Sequence, residues 1–195
     1  KKINIGWIGS GFVGQVAHLR NFHLNKNVNI TAISELRPNL AKKIQKKYNI
    51  ANFYNDYKKM ISENNFDAVV AIVRRYNTAK IAKDVLGLNQ NLFTEKPMVS
   101  TYKHAVELKN LSVKNKTLLF TGYMYEFFDT FQRCIELLVS KKILGEIFFV
   151  KSEMYVSQYL KKKKLISWRF NKKKSGGGVV ITQTSHVLYF LCKLS

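Results

Sequence analysis

At 195 residues the chain is long enough for one large domain or two small ones, and its 46% hydrophobic and 13% aromatic content is ample for a packed core and argues against disorder. Thirty-three basic residues against 12 acidic ones give a formal net charge of +21, an excess that invites a phosphate-binding reading. The basic residues are mostly lysines scattered through helical stretches, gathered only at Lys161–Lys164 and Lys172–Lys174 with no nucleic-acid motif beside them, so the charge reads as a solvated surface and argues against nucleic acid as a partner.

The apolar run Ile3 to Ile8 reads as a buried parallel strand, and it ends in Gly9-Ser10-Gly11-Phe12-Val13-Gly14, with a helix from Phe12 to Phe22. In such a strand–glycine–helix turn each glycine has its own task. Gly9 allows the tight turn, Gly11 lets the backbone approach a pyrophosphate, and Gly14 lets the helix pack on the strand. The N–H groups of the helix start, around Ser10, Phe12 and Val13, then face the phosphates. Val28 to Ser34 is a second strand, closing at Glu35, about twenty residues beyond the last glycine, where a carboxylate accepts hydrogen bonds from an adenosine ribose. That acid favours NAD over NADP, whereas Arg37, two residues on, leaves NADP open as a ligand.

Pro38 suits the first turn of a helix running to Tyr48, and Asp56 caps one running to Ser62, with Phe53-Tyr54 as a short strand between them. Asp67 to Val73 is a nearly continuous apolar run, the mark of a strand covered on both faces. Asn77–Leu86 reads as a helix and Asn91–Thr94 as a strand leading into Glu95-Lys96-Pro97. A helix capped by Ser100 or Thr101 runs to Lys114, and Thr117–Thr121 is a last strand. This alternation predicts an α/β fold, a Rossmann-type doubly wound parallel sheet, in a dinucleotide-binding domain over residues 1–122. Ligands bind such sheets at the carboxyl ends of the strands, where Gly9, Glu35, Arg74, Glu95 and Lys96 fall.

Residues 123–195 read as a partial α+β substrate domain: a helix over Phe128–Ser140, one long strand over Gly145–Ser157, a basic stretch over 161–174, and a helix over Val179–Leu191 that carries His186. Cys134 and Cys192 lie on apolar helical stretches with no metal-ligand spacing. They read as reduced core thiols of a cytoplasmic protein, and no metal site is expected. No segment approaches a membrane span, and glycines interrupt the lysine-led apolar start that superficially imitates a signal peptide.

The amino-terminal Gly-x-Gly-x-x-Gly, the Glu95-Lys96-Pro97 triplet, and Gly176-Gly177-Gly178 followed by a helical histidine occur in the order that resembles the Gfo/Idh/MocA family of nicotinamide-dependent sugar oxidoreductases. The resemblance implies that a cis bond before Pro97 aims Lys96 into the cleft, where it orients and polarises the reacting oxygen, with Glu95 supporting it. It implies that His186 exchanges a proton with the hydroxyl of a sugar, nucleotide-sugar or cyclitol while a hydride moves to or from NAD. Thr182 stands where members commonly carry an Asp one turn before this histidine, and Thr78 where many carry a His; Thr182 cannot hold an imidazolium electrostatically. Arg74 and Arg75 read either as contacts to a phosphate or acidic substrate or as solvated charges. Lys163, Trp168 and Arg169 are assigned by position to the sugar side. Members continue past this helix into a broad sheet that shapes the sugar pocket and often dimerises. A chain ending at Ser195 is therefore expected to be truncated or completed by a partner, with a homo-oligomer where that sheet is present. The competing expectation is a truncated, non-catalytic nucleotide-binding or scaffold protein.

Overall fold

A computed structural model of the chain describes residues 1–155 and 171–194. Six strands form one parallel sheet: β1 (Ile3–Ile8), β2 (Val28–Ser34), β3 (Asn52–Tyr54), β4 (Ala68–Ala71), β5 (Leu92–Glu95) and β6 (Leu119–Gly122). Their order is β3-β2-β1-β4-β5-β6, so the chain reverses direction across the sheet between β1 and β4, the switch point of a Rossmann fold. The doubly wound reading of the sequence holds.

Each connection carries a helix: α1 (Gly14–Leu19 as a π-helical segment, then Arg20–Leu24), α2 (Pro38–Tyr48), α3 (Tyr57–Ser62), α4 (Arg75–Gly87) and α5 (Tyr102–Lys114). The helix starts follow local chemistry. Pro38 occupies the first turn of α2, where its missing N–H costs no bond. Asp56 accepts the Lys58 N–H at 2.8 Å, and Thr101 accepts that of His104 at 3.3 Å.

Alternation along β1 sorts the core into two layers. Ile5 and Trp7 pack with Leu19, Ile33 and Ile44 on the face covered by α1 and α2, whereas Ile8 packs with Met60, Val85, Leu86 and Leu108 on the face covered by α3, α4 and α5. Gly6 lies on this second face. A Cβ there would stand 2.7 Å from the ring of buried Phe66, so the glycine is what lets that ring lie against the strand.

The chain divides into two compact units, Lys1–Gly122 and Tyr123–Ser195. The second opens with a 3₁₀ turn (Met124–Phe127) and α6 (Asp129–Ile135), which continues as a π segment over Glu136–Ser140. It resumes with the short α7 (Lys172–Ser175), a π segment (Val180–Thr184) and α8 (Ser185–Leu194). The strand expected over Gly145–Ser157 is absent from its described part: residues 145–155 join no ladder, and Phe148, Phe149 and Tyr155 are exposed. Apolar alternation alone makes no strand without a neighbour to take its N–H and C=O groups, and no such neighbour stands among the described residues. Cys134 is half-buried and Cys192 exposed, which corrects the core placement of the second thiol, since helical periodicity does not say which face meets a core. The expectations for Lys161–Lys164, Trp168 and Arg169 lie outside the described residues.

Gly6→Ala is expected to lower stability by about 1–3 kcal/mol through overpacking against Phe66. Measured by urea unfolding, its cost on a Phe66→Leu background should fall, because the two changes share one contact.

Candidate active site at the carboxyl ends of the strands

At the end of β1 the backbone turns at Gly9, whose φ of +84° favours glycine and whose Cβ would stand 2.7 Å from the Ile72 carbonyl oxygen. The turn is fixed from three sides. Gly9 N–H donates to the Ser34 carbonyl at 2.9 Å, and the Trp7 indole N–H donates to the Gly9 carbonyl at 2.8 Å. The Ser10 N–H donates to the Glu35 carboxylate at 2.8 Å, and the Ser10 carbonyl accepts from the Gln15 amide at 2.9 Å and from Arg37 at 3.2 Å. Beyond it, Gly11 is open, with nothing within 4 Å of where a Cβ would stand, whereas a Cβ on Gly14 would lie 3.2 Å from the Gly9 carbonyl oxygen. Phe12 and Val13 are exposed at the helix start.

Glu35 is 5% exposed and its two oxygens are occupied. Oε1 accepts from Arg37 N at 3.1 Å and Arg37 Nε at 2.8 Å, and Oε2 accepts from Ser10 N and from Arg37 Nη2 at 3.0 Å. Burial works to raise its pKa. The Arg37 guanidinium and the Ser10 and Arg37 backbone N–H groups outweigh that and hold the carboxyl below the usual glutamate range, so it is ionised at neutral pH. The same pairing holds Arg37 above the ordinary arginine value. Sequence spacing predicted Glu35 as a ribose acceptor and Arg37 as a separate cation; the structure instead brings them together as one bidentate pair. Of the pair, Arg37 is the more exposed partner, at 58% against 5% for Glu35.

At β5 the Lys96–Pro97 peptide bond is cis, as the resemblance implied. Glu95 Oε2 accepts the Lys96 N–H at 2.9 Å, and Glu95 Oε1 lies 2.7 Å from His18 Nε2, a contact that sequence reasoning missed. Half-buried Lys96 has its pKa lowered by desolvation; Glu95 opposes the shift and Arg75 adds to it. Arg74 is exposed at the start of α4 and donates to the Tyr76 hydroxyl at 2.9 Å.

In the second unit Gly176, Gly177 and Gly178 take φ values of +68°, +141° and +60°, a run that only glycines supply cheaply, and the helical segment carrying His186 follows it. His186 is buried, with the Tyr125 ring 4.6 Å and the Tyr123 ring 6.4 Å away between centroids. Thr182 donates its hydroxyl to the Gly178 carbonyl at 2.5 Å, a bond within its own helix. Tyr189, stacked on Tyr123 at 4.4 Å, donates to Glu126, which also pairs with Lys193.

These residues fit a dinucleotide. The backbone at Gly11 is bare, the Ser10 hydroxyl is a buried polar atom with no partner among the described residues, and a buried carboxylate stands at the end of β2. Among the described residues no group of three or more His, Cys, Asp or Glu side chains is placed to hold a metal ion, and no helix is long and apolar enough to cross a membrane. A cleft of about 400 Å³ lies at the opposite, amino end of the strands, lined by Ile3, Ala68, Leu92, Leu118 and Phe120 among others, and contains none of these residues. Gly11→Ala should leave the thermal midpoint within about 1 °C of wild type, because the new methyl meets nothing, whereas Gly9→Ala should lower it by several degrees, about 1–3 kcal/mol of backbone strain. Scanning calorimetry of both variants checks this.

Residues 3–123 match the model of the oxidoreductase family with an NAD-binding Rossmann fold, Gfo/Idh/MocA. An uncharacterized oxidoreductase of Synechocystis sp. is 22% identical over 189 residues, which are 97% of this chain and 50% of that protein. Myo-inositol 2-dehydrogenase of Thermotoga maritima is 24% identical over 134 residues, 69% of this chain and 40% of its own. The crystal structure of scyllo-inositol dehydrogenase from Lactobacillus casei with bound NAD(H) and scyllo-inositol superposes with a TM-score of 0.80 at 18% identity, over 100% of this chain and 56% of that one. The chain thus spans about half the length of the relatives it matches. With a family match over most of its length and the Rossmann sheet described above, the chain belongs to the Gfo/Idh/MocA oxidoreductase family.

Proposed function

We propose that the chain is the cofactor-binding and catalytic-lysine part of an NAD-dependent oxidoreductase acting on a hydroxyl, or the matching ketone, of a sugar, nucleotide-sugar or cyclitol. The observation that carries this reading is the glycine turn, bare at Gly11 and tied through Ser10 to an ionised, buried Glu35. Gly9, Ser10, Gly11, Phe12, Val13 and Gly14 would hold the pyrophosphate with backbone N–H groups, and Glu35 the adenosine ribose once Arg37 swings aside. A ribose 2′-phosphate would meet the Glu35 charge, so NADH is favoured over NADPH, with Arg37 as the group that could offset the difference. Arg74, exposed just before α4 and three residues beyond the end of β4, would contact the cofactor from the carboxyl ends of the strands.

Bound nicotinamide supplies or takes the hydride; the protein's part is to bind, orient and move protons. Lys96, whose pKa burial lowers, would hydrogen-bond the reacting oxygen and stabilise negative charge as it develops, with Glu95 fixing its backbone. His186 would exchange the hydroxyl proton, its ring held by Tyr125 and Tyr123. The relatives named for inositol dehydrogenation support a polyhydroxylated substrate. A cytoplasmic location is part of the same reading. A second reading, nucleotide binding without turnover, is favoured by Thr182, which spends its hydroxyl on Gly178 where a carboxylate would hold an imidazolium.

Trp7, buried beneath the turn and bonded to Gly9, reports on the site. A fluorescence titration should give saturable NADH binding, with NADPH about tenfold weaker, and Gly11→Val should remove NADH binding by about 100-fold or more while remaining folded. Folded protein that binds neither nucleotide contradicts the proposal.

A further inference from the structure

We propose that His18 is a positioning residue for the lysine loop: its imidazole holds the Glu95 carboxylate in the orientation that fixes the Lys96 backbone, tying the phosphate-binding helix to the loop after β5. The functional meaning of this tie rests on the oxidoreductase reading of Lys96; the tie itself does not.

His18 lies in the π-helical part of α1, four residues beyond Gly14, and its Nε2 stands 2.7 Å from Glu95 Oε1 across 77 residues of sequence. Wide i→i+5 turns are rare within helices and gather at functional sites. An ionised carboxylate can only accept, so Nε2 carries the proton in this pair. The other Glu95 oxygen accepts the Lys96 N–H at 2.9 Å, so one carboxylate is held at both ends. The His18 and Phe93 rings pack edge-on at 5.7 Å between centroids, and Phe93 meets Phe22 of the same helix at 5.8 Å, so the imidazole is packed as well as hydrogen-bonded.

Side-chain exposures of 16% for His18 and 27% for Glu95 make this a partly desolvated pair, which a plain packing role would not require. Leucine at position 18 would cover Phe93 as well. What imidazole adds is a donor aimed at a carboxylate that would otherwise be free to turn toward the Lys96 ammonium. Burial lowers the Lys96 pKa and Arg75 adds to that, whereas Glu95 opposes it, so the carboxylate that His18 orients is the one that favours the Lys96 ammonium.

The test uses ¹H–¹⁵N NMR and NADH titration of the full chain as wild type, His18→Phe and His18→Gln. Wild type should show His18 protonated at Nε2. His18→Phe keeps the ring packing but not the donor; it should shift the Lys96 amide resonance and cut that amide's exchange protection about tenfold, with NADH binding weakened by a similar factor. His18→Gln carries an amide donor and should restore most of both. If His18→Phe does not fold, Glu95→Gln replaces it and should move the His18 ring and Lys96 amide signals together. A Lys96 amide that ignores His18→Phe, a Gln variant as perturbed as the Phe one, a wild-type ring protonated at Nδ1 alone, or Glu95→Gln moving only one of the two signals overturns the proposal. Wild type that binds no NADH yet shows the tie sinks the oxidoreductase reading alone.

Discussion

One buried carboxylate fixes the ligand end of the first unit. Glu35 closes β2, the Ser10 N–H closes β1, and their 2.8 Å bond joins the two strands where backbone pairing ends. The neighbouring backbone continues the same pattern: Gly9 N–H reaches Ser34 O, and Glu35 N–H reaches Tyr54 O of β3. An ionised group this buried is tolerable only when each oxygen is satisfied, and here two backbone N–H groups and one guanidinium do so. The glycine turn therefore does not stand alone as a flexible loop. It is pinned by a charge whose desolvation would otherwise oppose folding, and it presents Gly11 bare to whatever approaches.

Much of this was legible in the sequence because it is local. A strand, three spaced glycines and a helix announce a Rossmann turn within twelve residues; Pro38 marks a helix start by its fixed φ and missing N–H, and Asp56 and Thr101 do so by bonds made within three residues of themselves. The alternation of apolar runs with amphipathic helices then fixes the parallel sheet, since parallel strands need crossovers. What the sequence hid is non-local. Gly6 looks idle until Phe66 is laid on it, Trp7 reads only as core until its indole N–H is seen on Gly9, and His18 carries no spacing signal that points 77 residues ahead to Glu95. Glu35 and Arg37 were both singled out, yet their pairing with each other was not, because proximity in sequence does not say whether two charges face the same ligand or one another.

The second unit shows the same division. The glycine run ahead of the His186 helix was readable, and its three left-handed residues explain why glycines are needed there. The aromatic surroundings of His186 were not, although Tyr123 and Tyr125, two residues apart in sequence, both lie against it. The long strand expected over Gly145–Ser157 shows the limit of pattern reading, since apolar alternation predicts a surface that wants burial and cannot supply the neighbouring strand. Among the described residues Phe148, Phe149 and Tyr155 remain exposed.

The central claim, that an ionised Glu35 holds the turn, is tested most directly by the stability of wild type against Glu35→Gln as a function of pH. The folded pKa of Glu35 is depressed, so its contribution is fully present above the unfolded glutamate value of about 4.3 and is lost as pH falls through the lower, folded value. The account predicts wild type more stable by about 1–3 kcal/mol at neutral pH, the size expected for hydrogen bonds to a charged group, with the gap closing as the solution is acidified below that range. A gap that is absent at neutral pH, or that persists unchanged into acid, would contradict it.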